Sequence, residues 1–357
     1  MTWAFPILPA SHELLSGYLS RVAFAHGSAP HAFYRLHLND GWFWTRDIDR
    51  GAAQRHHRAL SHKAGLGLSD IQEMTLRPWI EALTPPHYSK RVVPAIVPWV
   101  NVAGIRQENR ERHALQYCPD CLAVDGIVDR RWRLSFYTRC SLHHRLLLDH
   151  CLGCEAPFVP HRSLGSALRC FSCQRDLQAK VNPKSSTPED ARAIFLQEAM
   201  VAALLAPQQH SSFASADLMA FRSLVSVLLT HPRAPKATRA LLGRTPQNVR
   251  GWRRLEFARI GQRADVVSCL CALLDQWPET LRALATKLRL TQLAFKFHET
   301  APSWLHDEVM RLPIGEKKSR RKPQRTLEEQ VTELEKTKPR NWRASRAALL
   351  IRVAQRP

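Results

Sequence analysis

The chain has 357 residues, with 52 Lys and Arg against 31 Asp and Glu, which gives a formal net charge of +21. A hydrophobic content of 45% and a charged content of 23% are typical of globular proteins and exclude a chain that is disordered throughout. At about 100–200 residues per domain, this length predicts two or three domains. The basic excess favours a polyanion, above all nucleic acid, as a partner.

A membrane protein or a secreted protein is not expected. No stretch approaches the roughly 18 consecutive apolar residues of a spanning helix. The first residues, MTWAFPILPASHELL, lack the basic and apolar regions of a secretory signal. We therefore expect a cytoplasmic, nucleoid-associated protein without a membrane partner, in which thiols stay reduced.

Composition divides the chain into four regions and predicts a multi-domain, mainly α-helical protein with small β elements around its cysteines. Residues 1–115 are expected to be mostly helical, and residues 116–178 contain seven of the nine cysteines. Residues 179–312 alternate helical runs with breaks at prolines, and residues 313–357 form a basic extension.

The first helix is predicted to begin at Ser11, with Ser11 as its N-cap and Glu13 in its first turn. Its apolar side chains recur at helical spacing and are expected in the core: Leu14, Leu15, Tyr18, Leu19 and Val22. The remaining side chains are expected to be exposed. His12, Glu13 and Arg21 are therefore the candidate partner-binding residues of this helix.

Further elements are predicted along the chain from spacing and from helix-breaking residues. A second helix is expected from Ser69 towards Arg77, where Pro78 should end it. Two long helices are expected at Pro188 to Leu205 and Ser215 to Leu229, and strands at Arg133–Tyr137 and Pro157–Pro160.

The cysteines form two sets with the spacing of structural zinc sites. In each set, two pairs separated by two residues supply the four ligands that tetrahedral zinc requires. The first set is Cys118, Cys121, Cys140 and His143, and the second is Cys151, Cys154, Cys170 and Cys173. These tandem zinc fingers predict two structural zinc ions, each with a full coordination shell. The alternative is a group of buried thiols or a redox pair.

The fourth ligand of the first set is less certain than the cysteines. Spacing favours His143, but His144, His150 and His161 are further candidates. Cys269 and Cys271, in the apolar run VVSCLCALL, are expected to be core residues.

A helix-turn-helix is predicted at about residues 236–256, KATRALLGRTPQNVRGWRRLE. A short helix from Thr238 to Leu242 is followed by Gly243, which suits a sharp turn, and Thr245 can cap a second helix. The second helix would present the side chains that contact bases and phosphates in a major groove: Gln247, Asn248, Arg250, Arg253 and Arg254. An ordinary helical hairpin with a solvated basic face is the alternative.

The C-terminal extension is strongly basic. Residues 311–357 contain 14 Lys and Arg against 5 Asp and Glu. The centre of this charge is Lys317, Lys318, Arg320, Arg321 and Lys322. It is expected either to be solvated or to contact nucleic acid without sequence preference and in a salt-dependent way.

Enzyme signatures are missing from the sequence. Phosphate-loop, H-E-x-x-H, G-x-S-x-G and G-x-G-x-x-G patterns do not occur. No set of carboxylates suggests two-metal cleavage of nucleic acid. We therefore expect a protein that is not an enzyme, and a zinc-dependent nuclease is the least favoured class.

Several of these residues together resemble TniQ/TnsD-type transposition proteins. The resemblance starts with Pro6, Pro9 and the run Glu13-Leu14-Leu15-Ser16-Gly17-Tyr18-Leu19, followed by Arg21 and Ala23. It continues with Tyr117-Cys118-Pro119, Cys121, Arg131-Trp132, Cys140, His143, Cys151 and Cys154. It covers about residues 1–175.

The resemblance implies a non-catalytic target selector in heteromeric DNA transposition. Such proteins bring an AAA+ ATPase regulator, and through it the transposase, to a chosen site. The target is recognised either by a CRISPR Cascade complex with its guide RNA, on which shorter and dimerising members bind, or directly through C-terminal helix-turn-helix domains. The alternative from the residues alone is a free-standing, sequence-specific helix-turn-helix DNA-binding protein.

Overall fold

A computed structural model describes residues 2–51, 54–84, 96–103, 114–178, 187–205, 215–231, 234–243, 255–295 and 301–315. This part of the chain is mostly helical, as the sequence predicts. Its α-helices are α1 Leu15–Ala25, α2 Pro30–Leu38, α3 His57–Ala64, α4 Leu68–Glu73, α5 Arg77–Leu83, α6 Pro119–Asp125, α7 Pro188–Leu205, α8 Ser215–Thr230, α9 Ala234–Leu242, α10 Ile260–Asp275, α11 Glu279–Leu288 and α12 Ser303–Met310. None of the helices described has the length and apolar character needed to span a membrane.

Helix α1 begins three residues later than predicted, because a long-range contact keeps Glu13 and Leu14 extended. The Leu14 N–H donates to the Val128 carbonyl at 2.8 Å, and the Arg130 N–H donates to the His12 carbonyl at 2.8 Å. Ser11 is therefore not the N-cap, and Glu13 lies before the helix instead of in its first turn. The predicted apolar face is fully buried, as expected.

The predicted helix from Ser69 to Arg77 is two helices. Helix α4 ends at Glu73, and Pro78 lies in the first turn of α5 instead of ending a helix. Proline is suited to this position because an N–H in the first turn has no acceptor within the helix, and the ring already has a helical φ. Pro78 is a helix-starting residue here.

Neither predicted strand forms. Arg133 ends a short 3-10 helix, Arg130–Arg133, and Pro160 begins another, Pro160–Arg162. Among the described residues the β structure consists of isolated bridges, including Leu134 with Val100 and Pro157 with His150. The turns that contain Cys140, Cys151 and Cys170 are each closed by one bridge, so longer strands do not develop there.

The described helices build two hydrophobic cores. The smaller core contains the inner faces of α1 to α4, with Tyr18, Tyr34 and Trp44. The larger core runs from α5 through the cysteine region to α12 and includes Trp79, Trp99 and Phe136. Helix α7 has the bounds predicted from the sequence, and α8 extends to Thr230, one residue beyond its prediction.

A buried ion-pair network connects the two cores. Arg133 is almost completely buried, and its guanidinium donates to Asp47 Oδ2 at 2.6 Å and to Asp49 Oδ2 at 2.9 Å. Asp49 also accepts hydrogen bonds from the backbone and side chain of Ser16 in α1, at 2.8 and 2.9 Å. Burial raises the pKa of the Asp49 carboxyl to about 6, although Arg133 acts in the opposite direction. The network thus fixes α1 and the following loop to the cysteine region.

Arg133→Met should destabilise the fold by about 3–5 kcal/mol, because it leaves two carboxylates buried without their cation. Chemical denaturation followed by tryptophan fluorescence measures the loss. Asp47→Asn and Asp49→Asn in the same chain should recover part of it. The control is Arg192→Ala, which breaks an exposed pair with Asp275 and should cost less than about 1 kcal/mol. An R133M effect as small as that of R192A would contradict the role of the network.

A ring stack is a second contact between the N-terminal helices and the cysteine region. His161, in the 3-10 helix Pro160–Arg162, lies parallel to Trp44 with ring centroids 4.5 Å apart and an interplanar angle of 10°. Burial, together with the neighbouring His31 and Arg162, lowers the pKa of His161 to about 3. The ring is therefore neutral at physiological pH.

Acidification should lower the free energy of unfolding, because His161 is neutral only in the folded protein at mildly acidic pH. Between pH 6.5 and 5, the unfolded chain protonates His161 while the folded chain does not. The free energy of unfolding should therefore fall by about 1–2 kcal/mol from this residue. His161→Phe keeps a stacked ring without a titrating group, so its stability should decline less over this range. Denaturation at a series of pH values tests this, with the exposed His62→Gln as control; parallel curves for H161F and the unsubstituted protein would refute it.

Candidate metal centres

The first cysteine set converges at the start of α6 and the turn that follows residue 139. Cys118 is the N-cap of α6, and Pro119 fills its first position. Cys121 lies one turn into the helix, and Cys140 and His143 come from the facing turn. Cys118 and Cys140 are buried, whereas Cys121 and His143 are partly exposed.

The distances in this set fit a tetrahedral zinc ion. With Zn–S bonds of about 2.3 Å and a Zn–N bond of about 2.0 Å, tetrahedral edges are roughly 3.8 Å between sulfurs and roughly 3.5 Å between sulfur and nitrogen. The Cys121 and Cys140 Sγ atoms are 3.6 Å apart. His143 Nδ1 lies 3.3–3.5 Å from the three Sγ atoms of the set.

The histidine in this set is His143. His144 is exposed and has a left-handed backbone conformation. His150 Nδ1 pairs with Asp149 Oδ1 at 2.7 Å, and His161 stacks on Trp44. The other three candidates therefore have positions away from the cysteines.

The second set is built from two turns of the same design. The Cys151–Cys173 and Cys154–Cys170 Sγ distances are both 3.6 Å, and all four sulfurs lie within 4.8 Å of one another. The N–H of Ala156 lowers the pKa of Cys154 to about 7, which favours the thiolate that zinc binds.

Three of the four ligand pairs share one backbone turn. A backbone N–H two or three residues after the first cysteine points at its sulfur at 3.4 Å: His143 to Cys140, Gly153 to Cys151, and Ser172 to Cys170. The residue after the second ligand then has a positive φ: His144, Glu155 and Gln174. The turn brings two ligands together, and its N–H donates to the sulfur of the first cysteine, which favours the thiolate that zinc binds.

The two groups differ in their surroundings. Two cysteines of each group belong to the large core, Cys118 and Cys140 in the first and Cys151 and Cys170 in the second. The side-chain amide of Gln116 lies within hydrogen-bond distance, 3.0–3.2 Å, of the carbonyls of Trp132, Leu134 and Tyr137. In the second group Cys154 and Cys173 are exposed. The first group is thus part of the core, and the second lies at its edge.

The three predicted partner-binding residues differ in how far they are exposed. Glu13 is buried, contrary to the expectation that it is exposed, because both its carboxylate oxygens accept hydrogen bonds from Arg21 at 2.7 and 3.0 Å. Arg21 is partly exposed, and His12 is half-buried beside Arg130 and Arg131, with its pKa lowered mainly by burial. Glu13 therefore holds Arg21 in place.

The predicted helix-turn-helix is described only in its first half. Helix α9 packs against α8 and α10, buries Ala237 and Thr238, and is followed by Gly243 with a φ of +64°. The predicted base- and phosphate-contacting residues lie outside the described residues: Gln247, Asn248, Arg250, Arg253, Arg254, Lys317, Lys318, Arg320, Arg321 and Lys322.

Sequence reasoning missed the buried polar residues that support the metal centres. Gln116 immediately precedes Tyr117-Cys118, and Arg133 follows Arg131-Trp132 in the chain. Their types alone give no signal of burial. Gln116 lies in the apolar run 114–118 next to Cys118, whereas the sequence around Arg133 gives no such indication.

If both groups bind zinc, the purified protein should contain two zinc ions per chain by elemental analysis. Cys118→Ser and Cys154→Ser should each remove one, while Cys271→Ser, a thiol outside both groups, should leave two. C118S should also lose cooperative thermal unfolding because its site lies in the core, whereas C154S should keep it. Two zinc ions in C118S or C154S would contradict the assignment.

The chain was compared with known proteins. The family model for TniQ matches residues 5–147. A search of curated proteins gives no match. The matched segment contains α1 to α6 and all four residues of the first metal group.

Proposed function

We propose that this chain, whose residues 5–147 match the TniQ family model, is a TniQ-type protein that acts as a target-selection adaptor in DNA transposition. It links a target-recognition complex to an AAA+ ATPase regulator and, through it, to the transposase. Our first candidate for that complex is a CRISPR Cascade with its guide RNA, and target DNA itself is the second. A homodimer is part of this proposal.

The observation that carries the proposal is the family match over residues 5–147. Its limits enclose the first metal group and the Arg133 network between the two cores. The match therefore covers residues that fold together and not an isolated sequence pattern. Two groups that could hold zinc with all four ligands supplied by the chain favour a rigid scaffold over catalysis. We propose accordingly that the chain is not an enzyme.

Partner contacts are assigned to the start of α1. Arg21 is held by Glu13 and by the Leu8 carbonyl at 3.0 Å, yet its side chain keeps 29% of its surface exposed. A fixed, partly exposed guanidinium is suited to an acidic partner surface, because little conformational freedom is lost on binding. His12 lies in the same segment of the chain.

Nucleic-acid contacts are assigned to the helix-turn-helix and to the basic C-terminal segment. The charge at residues 317–322 would add salt-dependent affinity for any nucleic acid. This fits a protein that works next to DNA without choosing the sequence through that segment.

Purification of the tagged protein from its native operon tests the proposal. The ATPase regulator should co-purify, together with guide RNA and Cascade proteins or with target DNA. Arg21→Gln should reduce recovery of the protein partner at least threefold, whereas Arg35→Gln, at an exposed position of α2, should not. Thermal unfolding of both variants checks that they are folded. Recovery of neither ATPase nor a target-recognition partner would refute the adaptor function.

The second candidate function is a protein that reads its target DNA directly. Helix α9 followed by Gly243 in a left-handed conformation favours it, because this is how the first helix of a helix-turn-helix ends. Footprinting on operon-flanking DNA should then show one protected sequence. Replacing Gln247, Asn248 and Arg250 by Ala should cost about 1–3 kcal/mol for each base contact. Equal weakening on all sequences would show phosphate contacts only.

A further inference from the structure

A cavity of about 370 Å³ lies between the N-terminal helices and the second metal region. One wall comes from α1 and the loop after α2, and the facing wall comes from residues 158–162. Its volume is within the range of about 300–1,000 Å³ that is usual for small-molecule sites. Neither the metal groups nor the predicted helix-turn-helix contributes to it.

The charges around this cavity are unbalanced. Asp47 and Asp49 share one cation, Arg133, whose guanidinium binds both. Arg46 and Arg162 also line the cavity and are exposed. Arg46 has no ion pair within the described part of the chain, so the opening of the cavity carries an excess of positive charge.

The donors at this opening are held in position. The Arg162 guanidinium lies 4.2 Å from the centre of the Phe171 ring, in cation–π geometry. The His31 and His161 ring centroids are 5.6 Å apart. Burial, with the charge of Arg162, lowers the pKa of both histidines. Each is therefore a neutral ring that offers one N–H donor beside positive charge.

A buried polar atom also lacks a partner here. Arg133 lines the cavity, its side chain is 3% exposed, and its Nε has no hydrogen-bond acceptor among the described residues. A buried N–H without an acceptor is unfavourable. A ligand or water oxygen in the cavity would satisfy it.

Most of the remaining lining is apolar, and Ser16 and Thr45 are its polar members. Ile48, Leu115, Phe158, Val159 and Pro160 form a surface that can take a base or sugar but has no groups for charge. The cavity thus combines arginine and imidazole donors at its opening with an apolar interior. Phosphate prefers such donors, and the attached organic group prefers such an interior.

We propose that this cavity binds a phosphate-bearing ligand of the size of one nucleotide. Arg46, Arg162 and His31 hold the phosphate, and the apolar wall holds the base or sugar. The ligand can be a free nucleotide or one nucleotide of a strand, since both present the same phosphate. The site is independent of the adaptor function proposed above.

Calorimetric titration of the full chain with AMP, and with a phosphorylated single-stranded decanucleotide, tests the proposal. Arg46→Gln and Arg162→Gln should each weaken binding at least fivefold. Arg58→Gln removes the same charge from an exposed position on α3, outside the cavity. It should leave binding unchanged, and thermal unfolding should be similar in all three variants.

The two titrations distinguish a free nucleotide from a nucleotide within a strand. Binding of AMP that R46Q and R162Q weaken identifies a free-nucleotide site. Binding of the decanucleotide alone, with the same sensitivity, identifies a contact to a strand. If neither ligand binds, or if R58Q weakens binding as much as R46Q and R162Q do, the proposal is wrong.

Discussion

The fold depends on the ion pairs of Arg133 with Asp47 and Asp49. An isolated charge in a protein interior is costly, and a buried pair stabilises little by itself, but the loss of one partner is severe. Such a pair therefore acts as a constraint on arrangement more than as a source of stability. Here it fixes the loop after α2, and through Ser16 the start of α1, at one position against the cysteine region.

A comparable arrangement joins the cysteine region to the helices that follow it. Asp149 is fully buried and accepts the N–H of Ile260, at the first turn of α10, at 2.8 Å. Arg263, also fully buried, lies 3.4 Å from the same carboxylate. A carboxylate at a helix N-terminus is favoured by the helix dipole. The cysteine region, which contains both metal groups, is thus connected by buried charges to the elements that precede it and to those that follow it.

Features set by residues that are close together in the chain could be predicted from the sequence, whereas features set by distant residues could not. The metal ligands could be assigned because each pair is separated by two residues, and α7 because its pattern is continuous over 18 residues. The start of α1 was misplaced because residue 13 pairs with residue 129 through the backbone. Arg133 and Asp47 are 86 residues apart in the chain. No local pattern specifies such contacts, and the same holds for the cavity beside them.

The close packing of α1 on residue 128 has a consequence for biosynthesis. A Cβ added to Gly17 would lie 2.6 Å from Val128 Cβ, so this helix and the start of the metal region touch with no space between them. On the ribosome, α1 is made about 100 residues before its partner. Translation proceeds at about 5–20 residues per second, so the apolar face of α1 stays uncovered for several seconds or longer before residue 128 is made. The last ligand of the first group, His143, is made later still.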